Sequence, residues 1–307
     1  MRHVAFIPLM NAGQDALVPF QFASGARIDV GCPAALGSIL PTYTRRQDMS
    51  EFEGMALRTA RGWLWAGSEE DSQPLPLPNS GYAICHRLAL QLWQLALCVD
   101  VAGGGENSYW RFGNLMHSAG VYSYSADYPG APLPSPLRRP YIYSFPTNEI
   151  REAAWSTDRL ALADRVFETL QSAQGVTPRF GIAFNLRALM TSLDVWQLVP
   201  RFQLAVTALE TFYIAPTERQ YLWDPPIRER LLQVCKNIVA VHPDYFDALA
   251  QRRHDAVHRG GRPRSGDHAK SAWVERDTEL ILRHTLCWAS INLPSVTAAF
   301  NADAWPA

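Results

Sequence analysis

Apolar positions recur with two different periods along the chain, and the change from one to the other divides it. In the first 145 residues the runs are short and broken by Gly, Pro and Asn. Val4–Leu9, Val18–Phe22, Ala26–Val30 and Trp63–Ala66 are brief apolar or alternating stretches of the kind that form strands. Leu88, Leu92, Leu95 and Val99 follow a helical spacing and predict a helix over 82–101, ended by Gly103-Gly104-Gly105. A further helix is predicted within Tyr43–Leu57. Gln73–Pro78 places prolines at alternate positions, which removes the donors that regular structure needs. Tyr109–Tyr128 is aromatic and serine-rich, a strand or an ordered loop, and the five prolines of Pro129–Pro140 read as a boundary.

From about Thr147 the spacing becomes helical throughout. Helices are predicted near 148–174, 179–194, 196–214, 226–241, 244–258 and 270–292. Their short connections favour antiparallel packing in a bundle. The clearest is 196–214, where Phe202, Ala205, Val206, Leu209, Phe212 and Tyr213 make one stripe. Asp224-Pro225-Pro226 is a start signal for the helix that follows. The expected architecture is therefore an α+β domain over 1–145 followed by an all-α helical bundle over 146–307.

The helix 244–258 is the one whose pattern contains an anomaly. On a wheel, Tyr245, Phe246, Leu249, Ala256 and Val257 form an apolar stripe that should face a core. Arg253 falls inside it, and a guanidinium cannot shed its charge, so it must find partners. His254 and His258 fall on the opposite side, four apart and therefore stacked. Pro243 opens this helix and Gly260-Gly261 are natural residues to end it.

Composition adds little to the pattern. With 307 residues, 48% of them hydrophobic and 19% charged, the chain has the make-up of an ordinary soluble globular protein of two domains. The net charge of −1 does not advertise nucleic acid as a partner. Positive charge is instead local. Arg252, Arg253, Arg259, Arg262, Arg264 and Lys270 stand against Asp255 and Asp267 within one short stretch. That basic segment either grips an RNA backbone or is a solvated loop. The five cysteines, Cys32, Cys85, Cys98, Cys235 and Cys287, are scattered and include no C-x-x-C, which argues for a reducing compartment and against a zinc site. Leu88–Ala102 is too short and too polar to span a bilayer, and Val4–Leu9 is too brief for a signal-peptide core. The expectation is a cytoplasmic protein with no membrane partner.

Arg253-His254-x-x-x-His258 at a helix end, followed by glycine, resembles the R-x4-H motif of HEPN ribonuclease domains. Ala208-Leu209-Glu210-Thr211-Phe212 upstream is similar to the A-L-E helix of the Apea-like branch of that superfamily. The resemblance covers about 180–293, and nothing in the first 145 residues carries one. It implies a metal-independent endoribonuclease, a homodimer with two motifs facing one cleft, and a role as toxin or defence effector under a regulatory or antitoxin protein. It implies His258 as general acid/base and Arg253 as the phosphate group, with His254 in the polar position after the arginine. The chemistry suits those residue types. Histidine titrates near neutrality, and the planar arginine fork binds two phosphate oxygens at once. No cofactor and no metal is expected.

Glu210, at the edge of its helix's stripe, either reaches across the bundle to Arg253 or is a solvated surface glutamate. Arg252, Arg259, Arg262 and Arg264 are the expected RNA-backbone contacts. Trp110, Tyr122 and Tyr124 either stack on bases or, more commonly for such residues, pack in a sheet or core. The competing reading is a non-catalytic HEPN-like helical module for interaction or nucleotide binding.

Overall fold

The central element is β1 (His3–Leu9), buried at all seven positions. Its unbroken apolar run is what a strand covered on both faces requires. In the computed structural model, which describes residues 2–9, 18–41, 57–58, 60–73, 80–102, 121–127, 156–172, 178–192, 198–236, 244–258 and 268–306, β1 sits inside a five-stranded antiparallel sheet of order β2-β3-β4-β1-β5. The other strands are β2 (Phe20–Gln21), β3 (Arg27–Val30), β4 (Gly62–Ser68) and β5 (Tyr122–Ser125). β5 pairs with β1 only over His3–Phe6. Among the described residues nothing flanks β1 at Pro8 on that side, where a residue without an N–H is tolerated. Between β2 and β3, Gly25 adopts φ +85° in a tight turn closed by the Phe22 N–H on the Ala26 carbonyl at 2.9 Å. A three-residue hairpin loop needs this left-handed residue, which glycine supplies without strain.

One face of the sheet carries Val4, Phe6, Trp63, Trp65 and Tyr122, which pack with Leu36, Ile39 and Leu57. Phe6 stacks on Tyr122 at 5.5 Å and meets Trp63 edge-on at 5.8 Å. A single turn of helix, α1 (Ala34–Gly37), delivers Leu36 to this cluster. Helix α2 (Gly81–Ala102) packs on β1, β4 and β5 and contributes nothing to that cluster, so it covers the opposite face. Ser80 caps it, accepting the Ala83 N–H on its hydroxyl at 3.3 Å. Helix α3 (Thr157–Gln171) is tied to the β2–β3 turn by Asp164, which accepts the Ala23 N–H at 3.0 Å.

The chain divides into two compact units near Glu168/Thr169, later than the 145/146 division read from the sequence texture, and most of α3 belongs with the sheet. Asp164 makes one tie of that attachment, to a turn far away in the sequence, and Leu160, Leu162, Ala163, Val166 and Phe167 are buried along the same helix. The second unit is helical: α4 (Pro178–Ser192), α5 (Leu198–Tyr213), α6 (Pro225–Cys235), α7 (Tyr245–His258), α8 (His268–Ile291) and α9 (Leu293–Asn301). Helix α8 packs on α4, α5, α6 and α7 and is the centre of this unit. Two of its buried threonines have partners on neighbouring helices. Tyr213 and Tyr245 bond to Thr285 and Thr278 through their hydroxyls at 2.8 and 2.9 Å. Buried Arg179 donates to the carbonyls of Thr211 and Phe212, satisfying the free end of α5. Glu279 accepts from Arg201 at 2.7 Å and from Arg187 at 3.4 Å. Burial pushes the Glu279 carboxyl up, but Arg187, Arg201 and Arg283 outweigh it and hold the group below the usual range.

An α+β unit followed by a helical unit is thus what the chain forms. Helix α9 was not foreseen, because Pro294 reads as a stop after 292 whereas it stands in the first turn of a new helix. No helix among the described residues is long and apolar enough to cross a membrane. The expected helix in Tyr43–Leu57, the prolines of Gln73–Pro78, the glycines 103–105, Trp110 and the boundary Pro129–Pro140 fall wholly or mostly outside the described residues.

Candidate functional site

Helix α7 buries Tyr245, Phe246, Leu249, Arg252, Asp255 and Ala256. The buried stripe is rotated by about one position from the expected one. Arg252, at 5% exposure, occupies the core position expected for Arg253, and Val257, expected inside, is 55% exposed. The reason lies on α8. Glu275 accepts from the Arg252 Nε at 2.7 Å and also from its Nη2, so the core provides a counter-ion for one of the two adjacent arginines and not the other. Arg252 is therefore corrected from an RNA-backbone contact to a buried ion-pair member, whose guanidinium a phosphate cannot reach. Asp255 is buried beside it and accepts from Gln251 at 3.1 Å.

Arg253 lies at the rim, its side chain 34% exposed. Its Nε is 3.0 Å from Glu210 Oε1 and its Nη2 donates to Glu210 Oε2 at 3.3 Å. One edge of the fork is thereby held in place, while Nη1 meets no protein atom among the described residues. Glu210 gets there because Ala208 and Leu209 are fully buried in α5, which sets the next residue at the edge of the helix's core stripe. Of the two alternatives for Glu210, the pairing across the bundle is the one observed. Burial pushes its carboxyl up, and the charge of Arg253 opposes that shift.

His254 and His258 are both exposed, with ring centroids 4.7 Å apart. They stand about 100° and 140° around the helix from Arg253. Neighbouring turns of one helix thus carry a guanidinium with a free edge and two solvent-facing imidazoles. His258 is the last residue of α7, where the helix dipole favours a cation. The end of α7 is tied to α5 by the Gln203 side chain, which donates to the Ala256 carbonyl at 3.2 Å. Arg259, Arg262 and Arg264 lie outside the described residues, so the basic segment has no placement.

The aromatic candidates among the described residues take the commoner of the two expected roles, packing in the sheet's core. Tyr122 is buried at 5% and stacked on Phe6, so it is a core ring, and Tyr124 packs against the same cluster. The rings near the motif are instead Tyr221 and Trp223, which stack in parallel at 4.9 Å with 5° between planes. The Arg253 guanidinium carbon lies 5.8 Å from each ring centroid. These residues and Glu275 went unread in the sequence. The available signal was the Tyr-Leu-Trp alternation directly before Asp224-Pro225. On α8, Trp273 and Trp288 meet Tyr245 at 6.3 Å and Trp305 at 6.1 Å within the chain.

Among the described residues no group of three His, Cys, Asp or Glu is arranged to hold a metal ion. No family model matches the chain, and neither does any curated protein or solved structure.

Proposed function

We propose that the helical unit is a HEPN-like domain and that the protein is a metal-independent endoribonuclease, acting as a toxin or defence effector. The observation that carries this reading is the state of Arg253. Glu210 holds Nε and Nη2 and leaves Nη1 without a protein acceptor among the described residues, in a side chain 34% exposed and on the helix that also presents His254 and His258. A fixed fork with an open edge is pre-organised for a phosphate oxygen and for the extra charge of the pentavalent transition state.

In the reaction, the ribose 2′-oxygen forms a bond to the adjacent phosphorus while the bond from phosphorus to the 5′-oxygen breaks. One imidazole takes the 2′-hydroxyl proton and a second imidazole protonates the departing 5′-oxygen. The products are a 2′,3′-cyclic phosphate and a 5′-hydroxyl. His258 is one of these groups. The second comes from the partner's His258 in a homodimer, whose two-fold axis passes near the end of α7. Support for that location is the exposure of Val257 at 55% beside His254 and His258, since an apolar side chain there offers contact area.

The test is RNA cleavage in EDTA by the wild type and by His258→Ala. The variant should lose on the order of 10²–10⁴ in rate. Full activity in that variant would remove His258 from the mechanism. A second reading, a non-catalytic HEPN-like module for interaction or nucleotide binding, is favoured by the same ion pair, because a purely structural arginine would also be neutralised by a carboxylate. Absence of cleavage by a folded wild-type dimer would select it.

A further inference from the structure

We propose that Tyr221 and Trp223 form a stacking subsite for an unpaired RNA base, with Arg253 at its side to hold the neighbouring phosphate. For its ligand the proposal rests on the ribonuclease reading. Leu222 is fully buried inside the Tyr221–Asp224 turn, and Tyr221 and Trp223 on either side of it stack on each other. Their backbone is fixed before any ligand arrives. The Tyr221 N–H donates to Asp224 Oδ2 at 2.7 Å, and the Asp224 N–H returns to the Tyr221 carbonyl at 3.0 Å. The preceding turn is held by Glu218, which binds Arg230 through both oxygens at 2.7 and 2.8 Å and also accepts the Ala215 N–H. Arg230 in turn reaches the Tyr213 carbonyl at 2.9 Å.

A rigid turn that leaves a tyrosine 49% exposed loses little entropy when a base lies on the ring. The chemistry of the ligand follows from the pair of features. Aromatic faces accept any base, and a guanidinium 5.8 Å from both ring centroids, with its Nη1 open, supplies a cation where the attached phosphate would pass. A paired base is already stacked on both faces and cannot use the platform, so single strands are selected.

The experiment uses the full chain and fluorescein-labelled 2′-O-methyl oligonucleotides, single-stranded and duplex, which bind but lack the attacking hydroxyl. Tyr221→Ala should weaken single-strand binding about 5- to 100-fold, the range seen when base-stacking aromatics are removed. Tyr221→Phe should bind as the wild type does, and duplex binding should change by less than about twofold. The Tyr221→Ala melting curve should match that of the wild type, since an exposed ring contributes little to the core. Trp223→Ala should show the same loss, and if it unfolds, Tyr221→Ala decides alone. Unchanged single-strand binding in Tyr221→Ala overturns the subsite, as does equal loss for single strand and duplex. The His258→Ala variant separates this from the catalytic reading, because it should keep full binding while losing cleavage. Retained cleavage in it would sink the catalytic assignment and leave the subsite to the binding data.

Discussion

The pair between Arg253 and Glu210 can be tested quantitatively by a double-mutant cycle. At 3.0 Å and an effective dielectric constant of about 20, two unit charges attract by about 5 kcal/mol. Two costs reduce that figure. Side-chain exposures of 34% and 21% leave the pair partly screened, and burial penalises the ionised Glu210, whose carboxyl is pushed up. A fully exposed pair is worth about 0–1 kcal/mol and breaking a fully buried one costs about 3–5. This geometry lies between them, so the expected coupling is about 1–2 kcal/mol. Arg253→Ala alone should cost about 2–3 kcal/mol, because it also removes the contact with Tyr221 and Trp223, worth about 0.5–1. The assay is urea unfolding of the wild type, Arg253→Ala, Glu210→Ala and the double variant, followed by the loss of helical circular dichroism. Repeating it in about 1 M salt separates the two environments, since screening acts on exposed charges far more than on sheltered ones. A coupling under about 0.5 kcal/mol, or one abolished by salt, would refute the claim that Glu210 fixes the fork.

Arg252→Ala should cost more than Arg253→Ala, about 3–5 kcal/mol in the same assay, because it leaves Glu275 without its buried counter-ion; equal costs would contradict the rotated stripe. Burial, aided by Arg283, depresses His284 to about 4 against an ordinary 6.5. A depressed folded-state value means that the contribution is present above pH 6.5 and lost as pH falls toward 4. The loss should reach about 3 kcal/mol and be absent in His284→Gln. Light scattering should give a dimer at micromolar concentration. Mixing wild type with excess His258→Ala should suppress cleavage beyond simple dilution if the cleft takes one His258 from each chain, and a monomer with activity linear in enzyme would end that mechanism.

Much of the architecture was legible because long-range packing agrees with local pattern. β1 is apolar from Val4 to Leu9 and buried throughout, and α5 carries the stripe that its spacing foretold. What could not be read were features set by a partner elsewhere in the sequence. Helix α3 is tied to the first unit by its Asp164 carboxylate, which accepts from a turn more than a hundred residues earlier. Arg252 and Arg253 are chemically identical neighbours, and the wheel favoured the wrong one because it weighed only apolar residues on α7. The decision rests with Glu275, 23 positions downstream. The Glu210 pairing was one of two readings open to the sequence, because a position at a stripe edge leaves the side chain either a partner across the bundle or solvent.

The distinction between the two arginines also bears on function. The second unit buries Arg179, Arg187, Arg201, Arg252 and Arg283, and guanidinium groups stay charged wherever they are placed. The interior therefore has to supply oxygen atoms for them, and it does so with the carbonyls ending α5, with Glu279 and with Glu275. An arginine served in this way holds helices together and has nothing left for a ligand. Arg253 receives the same kind of partner but from the rim, on one edge only. Its Glu210 carboxylate fixes the direction of the group without consuming Nη1, and the solvent side provides access. Side-chain identity alone does not separate Arg252 from Arg253, although the R-x4-H spacing fits Arg253. Orientation and residual donor capacity agree with the proposal that Arg253 binds phosphate, and it is also the residue adjacent to the stacked Tyr221 and Trp223. Moving the buried carboxylate away, as in Glu275→Gln, should therefore destabilise the bundle without creating a second phosphate site, because Arg252 would remain inside it.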